Sequence, residues 1–195
     1  MKNKEVKLNL GCGVKMLPNF INVDVYDIED LKKKQGVFWE AEVKGLYLNA
    51  DIRELPFPDE YADYILASEV LEHIPLKDIN KTLREWYRVL KTGGRMVIKC
   101  PNFNALAEQW LTTEFNPESY GDMAQGIYGN QLTEKEYHLS PITPQMLNYY
   151  IAGMGVKEGK IGVYPKGHTV VGYPGIKEDK TRVYRFGDVH CDFIK

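Results

Sequence analysis

Apolar positions follow two alternating periods along the first 115 residues of the chain. Short aliphatic runs cover residues 6–10, 20–25, 45–49, 64–67 and 96–100. In the second run Ile21, Val23 and Val25 fall on one face, the two-residue repeat of a half-buried strand. Between the runs the repeat becomes helical. Over residues 78–91, Ile79, Leu83, Trp86, Tyr87 and Leu90 form one apolar stripe. Asp78 is placed to cap that helix, and Gly93 to end it. Residues 27–35, rich in Asp, Glu and Lys, read as a short solvated helix, and a further helix is expected near 104–113. Strands separated by helical crossovers predict a parallel sheet with helices on both faces.

The pattern breaks over residues 116–140, where Pro117, Gly121, Gly126 and Gly129 predict an irregular stretch. A connection of that length is usually functional, so residues 102–142 are expected to form a substrate or lid insert. Thr143-Pro144 then opens a helix to about residue 152, with Thr143 as N-cap and Pro144 in the first turn. Residues 156–195 read as strands and turns, interrupted at Pro165-Lys166-Gly167 and Pro174-Gly175. No repeat or linker divides the chain, and residues 1–195 are expected to form a single domain.

Composition narrows the classes. The chain has 195 residues, 44% of them hydrophobic and 27% charged, which is ordinary for a globular protein. A net charge of -2 argues against a general nucleic-acid binder. No apolar run approaches the roughly 18–20 residues that span a bilayer, and the charged N-terminus lacks a signal-peptide core. Cys12, Cys100 and Cys191 are widely spaced and lack metal-binding spacing, so reduced thiols, a cytoplasmic location and no metal are expected.

Four segments can carry chemistry, each just after a predicted strand. Gly11-Cys12-Gly13 ends the first strand, and a Gly-X-Gly turn lets a ligand lie against bare backbone. Asp24 ends the second, where a carboxylate can accept both hydroxyls of a ribose. Asp51 and Ile52 follow the third, as acceptor and amide donor for an adenine edge. Ser68-Glu69-Val70-Leu71-Glu72-His73-Ile74 follows the fourth. Singly, each has a plain structural alternative: a tight turn, a surface acid or a helix start. Together they mark one edge of the sheet, where open parallel sheets bind ligands.

This ensemble resembles the class I S-adenosylmethionine-dependent methyltransferases of the quinone-biosynthesis type, over residues 6–101. Asn9-Leu10-Gly11-Cys12-Gly13 is similar to their first motif, Asp24 to the ribose-binding acid, Ala50-Asp51-Ile52 to the adenine step, and Ser68 to Ile74 to the segment lining the cofactor. Arg84 to Gly94 resembles the helix and turn before strand five, and Tyr137 to Thr143 a feature of small bacterial members. The resemblance implies a Rossmann-like three-layer sandwich, mostly parallel with an antiparallel C-terminal strand. It also implies S-adenosyl-L-methionine as cofactor, held by Asn9, Leu10, Gly11, Cys12, Gly13, Asp24, Asp51, Ile52, Ser68 and Glu69.

Two departures stand out. Lys15 occupies the place of a third glycine and is a candidate partner for the methionine carboxylate. Only ten residues separate Gly13 from Asp24, too few for the usual crossover helix, which is expected to shrink to a turn. The same shortness disfavours a nicotinamide dinucleotide, whose acid lies about 20 residues beyond its glycines.

His73 and His138 are the candidate general bases, with a backbone-bonded structural histidine as the alternative for His73. Tyr120, Tyr128 and Tyr137 could line an acceptor pocket or simply pack. A small-molecule acceptor methylated on oxygen or nitrogen is the leading expectation, with a sugar or cell-surface precursor suggested by analogy alone. A protein or RNA acceptor and a non-catalytic cofactor-binding module are the alternatives. No nucleic-acid or membrane partner is expected.

Overall fold

The computed structural model describes residues 5–35, 46–114, 116–156, 158–163 and 188–195. Among the described residues seven strands form one sheet: β1 (Lys7–Leu10), β2 (Ile21–Asp24), β3 (Leu46–Asn49), β4 (Ala62–Ser68), β5 (Leu90–Pro101), β6 (Glu158–Val163) and β7 (Asp188–Ile194). Their order across the sheet is β3-β2-β1-β4-β5-β7-β6. The first five pair in parallel, and β7 runs antiparallel between β5 and β6. This is the expected Rossmann-like arrangement: the C-terminal strand β7 alone runs against the others, and β6 beyond it has the direction of β1 to β5. The interruptions expected at 165–167 and 174–175 lie outside the described residues.

Register sets the functional edge. Leu10 pairs with Val23 and Ala67, Asp24 with Asn49, and Ser68 with Lys99. The carboxyl ends of β1 to β4 therefore finish level. The chain steps outward from β1 to β3 and then returns to β4, so the strand order reverses beside β1, which opens a crevice there.

The α-helices among the described residues are α1 (Ile28–Gln35), α2 (Ile79–Val89), α3 (Phe103–Thr112), α4 (Pro117–Tyr128) and α5 (Pro144–Ala152). Helix α2 buries Ile79, Thr82, Leu83, Trp86 and Val89. Its stripe joins Ile65 and Ala67 of β4 and Met96 and Ile98 of β5 in the main core. Burying each large apolar side chain contributes roughly 1.5–3 kcal/mol. On the opposite face Tyr64, Leu66 and Val97 are covered by Leu17 and Phe20, which belong to the loop between β1 and β2. A loop does there what a crossover helix would do, because ten residues cannot hold the helix.

Several local expectations are corrected. Asp78 precedes α2 but makes no side-chain cap, since it already ends the short 3-10 turn Leu76–Asp78. Gly93 does have positive φ, yet it lies inside β5 and donates its amide to the Lys195 carbonyl, so it ends no helix. Residues 117–128, expected to be irregular, form α4. Pro117 sits at its start, where a missing amide proton leaves no helical bond unmade. Gly126 lets Leu106 of α3 approach, where a Cβ would stand 2.8 Å from Leu106 Cδ2. Thr143 caps α5 as expected, accepting from the Met146 amide at 3.1 Å.

Candidate active site

The four segments meet in one cleft of about 840 Å³ at the carboxyl edge of β1 to β4. Gly11, Cys12, Gly13, Asp24, Asp51, Ile52, Ser68, Glu69 and His73 all line it. Asn9 and Leu10 do not, and lie buried beneath the turn. Asn9 Nδ2 donates to the Lys15 carbonyl at 3.0 Å and to Asn22 Oδ1 at 2.9 Å, and the same oxygen accepts the Leu17 amide at 2.8 Å. Asn9 thus shapes the loop from below.

The two glycines have different reasons. Gly11 has φ +61°, and a Cβ there would lie 2.1 Å from Val70 Cγ2. Gly13 has φ +50°, but a Cβ would meet no protein atom within 4 Å, because it faces the open cleft. The Gly13 amide donates to Asp24 Oδ2 at 2.7 Å, and the Tyr26 amide to Asp24 Oδ1 at 3.1 Å. The carboxylate is buried and held in one orientation.

Asp51 is gripped by Arg53, whose Nη2 and Nε donate to Oδ2 at 2.6 and 3.0 Å. The guanidinium holds the Asp51 carboxyl below its ordinary range. Ile52 is fixed through its carbonyl, which accepts from the buried Trp86 Nε1 at 2.8 Å. Glu69 has φ +55°, a left-handed conformation rare for a residue with a side chain and common at functional sites. Behind it Lys99, buried, pairs with Asp188 at 3.0 Å and lies 3.7 Å from Glu69. Burial raises the Asp188 carboxyl, with Lys99 opposing that shift. Burial and the nearby Asp24 carboxylate push the Cys12 thiol far up, so it stays protonated at neutral pH.

Residues after α4 close the other side. Leu132, Thr133, Glu134, Lys135, Glu136 and Leu139 line the cleft, whereas Tyr120, Tyr128 and Tyr137 are not among its lining residues. The aromatic ring there is Tyr26, which sequence reasoning missed. Its hydroxyl bonds Thr133 Oγ1 at 2.7 Å, and Lys135 Nζ stands 4.3 Å from its ring centre. A second strap ties residues 139–140 to the segment after β4: the Leu139 and Ser140 amides donate to the Glu72 carbonyl, and Ser140 Oγ to the Ile74 carbonyl at 2.5 Å.

That strap brings His138 to His73, with ring centres 4.9 Å apart. His73 Nδ1 is 2.9 Å from the Tyr137 carbonyl, and His138 Nδ1 is 2.9 Å from the Gly126 carbonyl. Burial, and then the His73 charge, lower the His138 pKa. Beside them Glu72 is buried with neither carboxylate oxygen hydrogen-bonded, and burial with the nearby Glu69 raises its carboxyl. Sequence spacing did not group these three residues.

Residues 8–98 match a family model described as a methyltransferase domain. Among curated relatives, the ubiquinone/menaquinone biosynthesis C-methyltransferase of Vibrio vulnificus is 48% identical over 73 residues, 36% of this chain and 27% of that protein. The Rickettsia massiliae protein of the same name is 30% identical over 139 residues, 65% of this chain and 52% of its own. The chain thus spans at most about half the length of these relatives. Among solved structures, a SAM-dependent methyltransferase from Archaeoglobus fulgidus superposes with a TM-score of 0.64 at 18% identity, covering 100% of this chain and 87% of that one. The family match lies across β1 to β4, the strands whose ends build the cleft, and into β5, so residues 8–98 are a methyltransferase domain of the S-adenosylmethionine-dependent class.

Proposed function

We propose that the protein transfers a methyl group from S-adenosyl-L-methionine to an oxygen or nitrogen of a small-molecule acceptor. The observation that carries this reading is the single cleft in which the glycine turn, Asp24, Asp51 and Glu69 face His73 and the insert. When bound, the cofactor supplies a methyl carbon already activated by its sulfonium sulfur. The open space over Gly13 and the acids Asp24, Asp51, Glu69, Glu134 and Glu136 around the cleft suit a cationic nucleoside.

Asp24 accepts from the ribose hydroxyls, and Asp51 with the Ile52 amide takes the adenine edge. Lys15, exposed at the rim of the cleft, is the cation for the methionine carboxylate. The protein then works mainly by alignment, which can contribute roughly 7–11 kcal/mol to lowering a barrier. Where the acceptor must lose a proton, His73 lines the cleft, with His138, which is not a lining residue, next to it. Their Nδ1 atoms face carbonyls, so Nε2 is the nitrogen able to take it, a role that contributes about 10²–10⁴-fold.

The apolar side chains of Leu132 and Leu139 at the mouth favour a small metabolite, and a sugar or cell-surface precursor remains an acceptor class by analogy. Three buried, free cysteines fit a reducing cytoplasm. No helix among the described residues is long and apolar enough to cross a membrane. A second reading, carbon methylation of a quinol, draws on the name of the curated relatives. The family match stops at residue 98, before the segment proposed as the acceptor wall, so the family model itself carries no acceptor chemistry.

The test is calorimetry with the cofactor, followed by mass spectrometry of reactions with phenols, sugars, amines and a quinol. An O- or N-methylated product with S-adenosylhomocysteine supports the proposal. Ring methylation of the quinol favours the second reading. Binding without turnover on any acceptor indicates a non-catalytic module, and absence of binding overturns both.

A further inference from the structure

Glu72 presents an unusual problem for a folded protein. Its side chain is 2% exposed, and among the described residues neither carboxylate oxygen has a hydrogen-bond donor, Lys99 acting on it only through its charge. A buried carboxylate without a donor or a cation is costly, and native structures nearly always supply one. What lies beside it is a pair of imidazoles. One potential ligand atom from each of Glu72, His73 and His138 lies within 4.8 Å of the other two.

The rings are also set in the manner of ligands. Each Nδ1 faces a backbone carbonyl at 2.9 Å, Tyr137 for His73 and Gly126 for His138. A carbonyl only accepts, so each Nδ1 carries the proton and each Nε2 a lone pair. Metal-bound histidines typically donate their second nitrogen to such a partner. Two neutral imidazoles and one carboxylate make a donor set suited to divalent first-row transition ions.

We propose that Glu72, His73 and His138 form a binding site for one divalent transition-metal ion, bordering the cleft at His73. Three protein ligands leave coordination positions open, and His73 is the ligand that lines the cleft. The substrate class this selects is an acceptor with a hydroxyl oxygen able to ligate the ion, since metal coordination lowers the pKa of a bound hydroxyl. The site's role rests on the methyltransferase reading, with the ion in place of the two Nε2 lone pairs as the group that activates the acceptor hydroxyl, but ion binding itself does not.

The experiment titrates chelator-treated full-length protein with Co²⁺, following d–d absorption and thermal unfolding, with Zn²⁺ as competitor. The wild type should take up one Co²⁺ per chain, displaced by Zn²⁺, with a raised melting temperature. Glu72→Gln, nearly isosteric, and His138→Ala should each weaken binding at least tenfold and abolish the shift in melting. Cofactor affinity, measured by calorimetry on the same samples, reports the methyltransferase reading separately. No stoichiometric uptake by the wild type, or equal uptake by both variants, overturns the proposal. In that event Glu72 is satisfied by its own proton or by water.

Discussion

The Gly13 amide donates to Asp24 Oδ2 at 2.7 Å, tying the turn after β1 to the end of β2. The acid proposed to hold the ribose therefore also fixes the backbone over which the nucleoside lies. Asp24→Ala removes both effects and should weaken cofactor binding by about 2 kcal/mol or more, roughly thirtyfold. Asp24→Asn keeps one acceptor oxygen and should fall between the two. Calorimetry on folded variants checks this, and unchanged affinity in both would refute the ribose assignment.

The two glycines should separate stability from binding. Gly11→Ala meets Val70 Cγ2 at 2.1 Å as well as an unfavourable φ. A cost of about 2–5 kcal/mol follows, combining left-handed strain with overpacking. Gly13→Ala has only the strain, about 1–2 kcal/mol, because no protein atom lies within 4 Å. Its methyl group instead projects into the cleft. Urea denaturation should find the first variant much less stable, while calorimetry finds the second folded but impaired in cofactor binding.

Tyr26 and Thr133 form a latch across the cleft, joined by a 2.7 Å hydrogen bond between their hydroxyls. The bond is exposed, so its net contribution is about 0.5–1.5 kcal/mol. Tyr26→Phe should leave the global fold unchanged and speed cofactor release several-fold. Stopped-flow displacement is the measurement. An unaltered release rate would mean that the insert does not gate the cofactor.

The fold was legible where local pattern and tertiary structure agree. The aliphatic runs are β1 to β5, and the shortness of 14–23 correctly implies a crossover without a helix. The cleft lining was also legible, since strand ends in a parallel sheet share an edge. Three features were not. Gly121 and Gly126 read as breakers, yet α4 tolerates both, the second because Leu106 needs the space. Asn9 reads as a ligand residue, but its side chain is spent on the loop below. Glu72 lies between the apolar Leu71 and Ile74, but a glutamate is rarely buried, so its type gave no mark of burial. Only the folding back of the insert, through bonds from Leu139 and Ser140 to its carbonyl, encloses it.

His190 gives a pH dependence of known sign. It lies on β7 opposite Lys99 of β5, and burial lowers its pKa below the ordinary 6.5, with Asp192 opposing the shift and Lys99 adding to it. The unfolded chain takes up this proton near 6.5, and the folded chain only at lower pH. Between the two values the unfolded state binds more protons, so stability falls as pH drops below 6.5 and is level in this respect above it. Urea midpoints measured across this window should therefore decline toward acid. His190→Gln removes the titrating group and should flatten that decline. The comparison is with the wild type's own slope, because His138, also lowered by burial, contributes in the same direction in both proteins. An identical slope in the variant would show that His190 takes up its proton equally in both states.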